Sequence, residues 1–226
     1  MNPLEPVPEI VINFPQDGKI RSRKVVKRSN ARNSGKYPSW KMQRMMQWES
    51  PNEGNAMRIL DANPDVIAFN EQPCEIVYTL NGDKRRHYPD FLVSESNHKE
   101  FWEVKTAKDA NQPEVAERTA FLTELLPLYG YRYRVVTAES LASQPQLSNF
   151  KRLNKFGRQA LSVIQEETIR LLFKEQPVMD WGVFENQSPA ALRQISRLIL
   201  EGKLNIDLHQ PIQATTQIRS NFNTQY

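Results

Sequence analysis

A chain of 226 residues with 39% hydrophobic and 25% charged residues is expected to be a soluble globular protein, long enough for one large domain or two small ones. Its N-terminus, MNPLEPVPEI, lacks the basic-then-apolar plan of a secretory leader, and no stretch approaches the roughly 18 apolar residues of a membrane span, so a cytoplasmic location and no membrane partner are expected. The single cysteine, Cys74, excludes an internal disulfide and a cysteine zinc cluster and reads as a packed core thiol.

Net charge is only +4, but it is unevenly spread. Between Lys19 and Arg44 stand ten basic residues and no acid, which leaves 20 of the 30 basic residues against all 26 acidic ones elsewhere, a net of −6. Such a run is either a solvated tail or a phosphate-binding segment whose affinity falls with salt. Arg21, Arg23, Lys24, Lys27, Arg28, Arg32, Lys36 and Lys41 are its candidate DNA contacts, and Tyr37 and Trp40 either stack on bases or anchor the segment to the body. Residues 1–47 are read as a basic N-terminal arm.

The first predicted helix follows Trp48. Ser50 is placed as N-cap with Pro51 in the first turn and Glu53 three residues after the cap, the pattern of a capping box, and Met57 and Leu60 recur at helical spacing up to Asn63-Pro64. Glu53 thus has a structural explanation, beside the alternative that it faces a site as a metal ligand or proton acceptor.

From Val66 the chain reads as strands. Asn81-Gly82 between two β-rich runs predicts a hairpin pairing Glu75–Leu80 with Arg85–Val93. Pro89-Asp90 is followed after 12 residues by Glu103-Val104-Lys105 in a second strand-forming run. Side chains alternate along a strand, so Glu103 and Lys105 share one face while Trp102 and Val104 share the other. Antiparallel pairing across the polar stretch from Ser94 to Lys99 brings Asp90 beside them. Two carboxylates and an ammonium then converge, a grouping suited to phosphodiester hydrolysis: carboxylates hold Mg²⁺, and a lysine supplies fixed positive charge or handles the proton of the attacking water. The plain alternative is a surface hairpin with a charged exterior.

After TAKDANQ, Pro113 opens a helix with Val115, Leu122, Leu125 and Leu126 inward, Gly130 ends it, and Tyr131–Thr137 is a further strand. The order of helix, three-strand meander, helix and strand predicts an α/β core with a mixed sheet over residues 48–145. Residues 146–226 have a different texture. A long helix is read over FKRLNKFGRQALSVIQEETIRLLFKEQ, with Leu161, Ile164, Ile169, Leu172 and Phe173 on apolar faces, and Ser188-Pro189 starts another that stops at Gly202. Its Leu192, Ile195, Leu198 and Ile199 pack, while Arg193, Gln194 and Arg197 face out. A short hairpin follows. Helices followed by a hairpin predict an α+β winged-helix module whose use, DNA reading through Arg193 and Arg197 or protein docking, these side chains leave open.

Four motifs in this order carry a family resemblance: ES-X-X-E (Glu49, Ser50, Glu53), EQP (Glu71–Pro73), YPDF (Tyr88–Phe91) and WEVK (Trp102–Lys105), spanning about residues 48 to 106. They resemble the restriction-endonuclease-like PD-(D/E)XK nucleases, and among these the TnsA-type endonucleases of heteromeric cut-and-paste transposons. The resemblance implies Glu53, Asp90 and Lys105 as catalytic positions, with Glu53, Asp90, Glu103 and the Val104 carbonyl available to Mg²⁺, for which Mn²⁺ substitutes. It also implies a winged-helix domain after the nuclease, nicking of the 5′ ends of transposon DNA, and work inside a complex with a TnsB-like transposase and a TnsC-like ATPase regulator. Gln72 either faces the site or ties down the strand start. A free-standing restriction, repair or junction nuclease and a non-catalytic DNA-binding adaptor are the alternatives. The histidines His87, His98 and His209 have no metal-ligand spacing and read as incidental, although His87 is near enough to Asp90 to touch substrate.

Overall fold

The computed structural model describes residues 10–16, 19–22 and 34–222. They form two compact units interleaved along the sequence. The first holds the described residues up to Tyr37, Met46–Gly54 and Ile67–Ser140; the second holds Pro38–Met45, Asn55–Val66 and the described residues from Leu141 onward. Segments 38–45 and 55–66 thus group with the C-terminal residues rather than with an arm or a nuclease domain.

Strand β1 (Ile10–Asn13) comes first, then the paired strands β2 (Gly35–Ser39) and β3 (Arg44–Trp48) and helix α1 (Pro51–Ala62). Five strands follow: β4 (Val66–Glu71), β5 (Glu75–Leu80), β6 (Asp83–His87), β7 (Phe91–Glu95) and β8 (Lys99–Lys105). Helices α2 (Ala107–Ala110) and α3 (Pro113–Leu125), a 3₁₀ turn (Leu126–Tyr129) and β9 (Arg132–Thr137) come next. The rest comprises α4 (Ala138–Leu141), α5 (Gln146–Phe156), α6 (Val163–Glu175), β10 (Val178–Asp180), α7 (Trp181–Gln187), α8 (Pro189–Leu200), β11 (Leu204–Asn205) and β12 (Gln217–Ser220).

In the first unit the expected three-strand meander is a run of five strands shared between two sheets, ordered β1-β5-β6 and β4-β7-β8-β9. The hairpin at Asn81-Gly82 forms as expected. Both residues take positive φ, 53° and 84°, as a two-residue turn of primed type requires, and Leu80 faces Asp83 across it. The strand read as continuous from Arg85 to Val93 is instead broken at Tyr88-Pro89-Asp90. Pro89 has no N–H to give to a ladder, so β6 ends on the first sheet and β7 begins on the second. Strand β1, unforeseen within the residues 1–47 read as an arm, pairs antiparallel with β5 in the register Ile10↔Tyr78. Strand β9 lies parallel to β8, with Glu103 opposite Val135 and Lys105 opposite Thr137, so α3 is the crossover helix expected there. Its Leu122, with Leu126 just beyond it, is fully buried in a core with Phe101, Ile76 and Cys74. Burial pushes the Cys74 thiol up to about 12, which makes it inert.

The second unit is α+β. Its antiparallel sheet is ordered β10-β12-β11, and Trp181, Phe173, Ile195, Leu198 and Ile218 fill its core. The long helix expected from Phe150 to Gln176 is two helices. A Cβ at Gly157 would lie 2.7 Å from Leu200 Cδ1 and 2.9 Å from Arg197 N, so the chain passes α8 too closely for any other residue. Ser162 then restarts the helix with a complete capping box to Gln165. Ile169 and Phe173 are buried as expected, but Ile164 and Leu172, on the same helix, are 79% and 40% exposed, because α6 buries only the narrow face that carries Ile169 and Phe173. Strand β10 and helix α7 went unforeseen. Ser188 caps α8 through Ala191 N, with Pro189 in the first turn. Among the described residues no helix is long and apolar enough to cross a membrane.

Candidate active site

Strands β7 and β8 pair antiparallel in the register Phe91↔Trp102 to Ser94↔Lys99, leaving residues 96–98 as the turn. The ladder runs one residue further, because Asp90 N donates to Trp102 O at 3.0 Å. Asp90 thereby stands at the head of β7 beside the end of β8, and its Oδ2 accepts the Val104 N–H at 2.8 Å. Alternation on β8 puts Glu103 and Lys105 on one face, and Lys105 Nζ lies 2.7 Å from Glu103 Oε1. The two carboxylates and the ammonium therefore meet.

The N-terminus of α1 supplies the third acid. Ser50 Oγ accepts the Glu53 N–H at 3.2 Å and donates to Glu53 Oε1 at 2.9 Å, while Glu53 Oε2 accepts the Glu49 N–H at 2.8 Å. Ser50 thus caps the helix as expected, with the Glu53 carboxylate reaching the Glu49 N–H instead of the Ser50 N–H of a full capping box, and Glu53 also lines a cleft of about 550 Å³ with Glu49, Ser50, Tyr88, Asp90, Glu103, Val104, Lys105 and Asp109. Its two readings are compatible: the bonds to Ser50 Oγ and the Glu49 N–H hold the side chain that lines the cleft.

Burial raises the Asp90 carboxyl well above the ordinary aspartate range, and the negative charges of Glu103 and Glu53 raise it further, against the Val104 N–H and Lys105. Lys105 shifts the other way in function: burial pulls it down, but Glu103 and Asp90 outweigh that and its pKa lies above the ordinary lysine value. These neighbours favour its ammonium form.

Glu103 is further surrounded by Arg118 and Tyr133, which went unforeseen, and by His87, which read as incidental. Arg118 of α3 approaches Glu103 Oε1 to 3.6 Å. His87 Nε2 lies 3.6 Å from Glu103 Oε2 and 3.0 Å from the Tyr133 hydroxyl. His87 is 6% exposed, so it backs Glu103 instead of touching substrate. A signal for Arg118 exists: Val115, Arg118 and Leu122 share the inward face of α3, and a charge on an apolar face needs a partner.

Among the described residues no three His, Cys, Asp or Glu side chains converge as a ready metal cluster. The donor set nevertheless fits a hard cation that keeps several waters. Glu103 Oε2 is buried without a hydrogen bond, and Asp90 is crowded by like charge, a state that a cation relieves.

The basic candidates separate. Arg23, Lys24, Lys27, Arg28 and Arg32 lie outside the described residues. The Arg21 guanidinium is committed to buried Glu71, at 2.7 and 2.6 Å. Lys41 donates to the carbonyls of Leu60, Asn63 and Val66, closing the C-terminal end of α1. Arg197 does not face out: it is 8% exposed, 2.5 Å from Glu201 Oε1, and stacked over Trp40 at 4.0 Å. Trp40 and Tyr37 accordingly anchor their segment, Trp40 against the second core and Tyr37 by full burial. Lys36 and Arg193 are exposed.

Residues 63–138 match the family of TnsA-like endonuclease N-terminal domains, a span that contains Asp90, Glu103 and Lys105 and begins after Glu53. The chain is also 30% identical over 111 residues to the head completion nuclease of Enterobacteria phage T4, an alignment covering 45% of this chain and 73% of that protein. A match across the strands that carry the acids and lysine, joined to likeness with most of a named nuclease, shows that this chain belongs to the TnsA-like nucleases.

Proposed function

We propose that the protein is a Mg²⁺-dependent DNA endonuclease subunit of a heteromeric transposition complex that nicks the 5′ ends of its element. The observation that carries the reading is the meeting of Asp90, Glu103 and the Lys105 ammonium at one cleft wall, inside the span with TnsA-like character. Asp90, Glu103 and the Val104 carbonyl would hold the ion, with Glu53 beside them; Mn²⁺ is an equivalent for these oxygen donors. A bound ion of this kind supplies Lewis acidity toward water and offsets charge on the phosphate. Lys105, fixed by Glu103 and kept protonated, holds its charge toward the scissile phosphate. Glu53, held by the Glu49 N–H and Ser50 Oγ, is the carboxylate left to orient or accept a proton from the attacking water.

The second unit supports a winged-helix reading. Helices α6 and α8 and the antiparallel strands β11 and β12 keep the expected order of helices followed by a hairpin, with β10 and α7 inserted between the helices and β12 central in the sheet. The inward commitment of Arg197 leaves the exposed Arg193, near the start of α8, as the basic group for DNA, and favours protein docking as this unit's main use. A transposase and an ATP-dependent regulator are the partners this reading requires.

The likeness to a head completion nuclease favours a second reading, a free-standing restriction, repair or junction nuclease. Strand-resolved cleavage of transposon-end DNA in Mg²⁺, with and without transposase and ATPase, separates the two. Nicking of 5′ ends that needs both partners, and that falls about 10³-fold in Lys105→Ala, is expected. Equal cutting by the isolated protein would move the assignment to the free-standing enzyme.

A further inference from the structure

Between β4 and β5 the chain turns at Gln72, whose φ is +48°. L side chains avoid that region, and glycine occupies it without strain. Of the other non-glycine residues described with positive φ, Gln43 and Asn81 sit in exposed turns, whereas Gln72 is 1% exposed. A long buried side chain on strained backbone persists only where its surroundings hold it, and such strain collects at functional sites.

The holding contacts are specific. Gln72 N donates to Asp90 O at 2.9 Å. Its carbonyl accepts from Ser22 N at 2.9 Å and Ser22 Oγ at 3.0 Å, while Arg21 is bound to the neighbouring Glu71. The side-chain amide points at the same aspartate: Nε2 lies 3.5 Å from Asp90 Oδ1, opposite the oxygen held by Val104. That is the long end of a hydrogen bond, the separation typical of a site that tightens when loaded.

We infer that Gln72 is a positioning residue for Asp90, its main-chain N–H fixing the Asp90 carbonyl and its side-chain amide fixing the direction of the carboxylate. Glycine would remove the strain, so the glutamine is kept for its amide. A neutral donor suits the place. An ammonium there would neutralise the carboxylate that the cation needs, whereas an amide orients it and leaves its charge in place. The proposed function supplies the reason such fixing matters, but the contacts stand without it.

The test uses full-length Gln72→Gly, which keeps the turn and loses the amide, and Gln72→Leu, which keeps bulk and loses the amide. The Val104 amide, bonded to Asp90 Oδ2, reports the carboxylate's orientation by hydrogen exchange without metal, DNA or turnover. In both variants it is expected to exchange about 10-fold faster than in wild type while other amides of the β7–β8 ladder hold their rates. Mn²⁺ affinity by calorimetry is expected to weaken about 10-fold, with KM for DNA unchanged. Unchanged Val104 exchange in both variants overturns the inference, as does uniform acceleration of every amide, which marks a purely structural residue. A wild-type protein that neither binds Mn²⁺ nor cuts overturns the proposed function alone, since faster Val104 exchange in the variants still upholds the positioning role.

Discussion

Asp61 accepts Ser39 Oγ at 2.6 Å and the backbone N–H groups of Trp40 and Lys41 at 3.3 and 3.1 Å, all within the second unit. Asp90, almost as dry, has one backbone N–H at 2.8 Å, a long amide contact at 3.5 Å, and two further carboxylates whose charges raise its pKa after burial has done so. Two buried aspartates thus stand in opposite electrostatic settings. The first has donors for its oxygens and ties a turn to a helix. The second is held where its own charge is disfavoured, which the proposed cation would relieve.

The largest effect expected from this contrast is at the satisfied acid. Asp61→Ala strips the Ser39–Lys41 turn of its acceptor and leaves buried donors without partners, at a cost of about 3 kcal/mol in unfolding free energy. Denaturant titration reads it. A loss below about 1 kcal/mol would show that the turn is held by other contacts. At the crowded acid the same kind of change should be benign or better: Asp90→Asn removes one of three crowded charges, keeps an oxygen for Val104, and is expected to raise the melting temperature in EDTA by a few degrees while abolishing nicking. The smallest effect lies at the helix start. Ser50→Ala removes the cap of α1, costs about 1 kcal/mol, and releases Glu53 Oε1 from its hydrogen bond. Cleavage should then drop while Mn²⁺ affinity, set by Asp90 and Glu103, stays close to wild type, which calorimetry checks.

The acids were legible because their signals are local. Pro89-Asp90 and Glu103-Val104-Lys105 lie on neighbouring strands joined by a three-residue turn, so alternation and antiparallel pairing suffice to bring them together. Ser50 and Glu53, Asn81-Gly82 and Ser188-Pro189 likewise carry their instructions within four residues. What failed to show is what depends on distant partners. The switch of sheets at Pro89 depends on which strands later flank β7, and β1 finds β5 across more than sixty residues. Lys41 and Arg197 read as surface charges until α1 and Trp40 meet them. Gly157 gave no sign of the close passage over α8, because only the packed partner makes its missing Cβ necessary. Arg118, His87 and Tyr133 come from three elements and converge on Glu103 only in the folded unit.

The charge on Asp90 sets a direction with pH. Its folded pKa lies above the ordinary 3.8, so on raising the pH the unfolded chain releases this proton first. Between the two values the unfolded state binds fewer protons than the folded one, and this group's contribution to stability falls as pH rises. The most direct test of the account is therefore the melting temperature of wild type and Asp90→Asn in EDTA from neutral pH down toward 3.8, followed by saturating Mn²⁺ at neutral pH. The account predicts a variant that melts higher at neutral pH, a gap that closes as the solution is acidified, and a stabilisation by Mn²⁺ confined to the wild type. A variant that melts lower than wild type at every pH, with Mn²⁺ stabilising both alike, would contradict it.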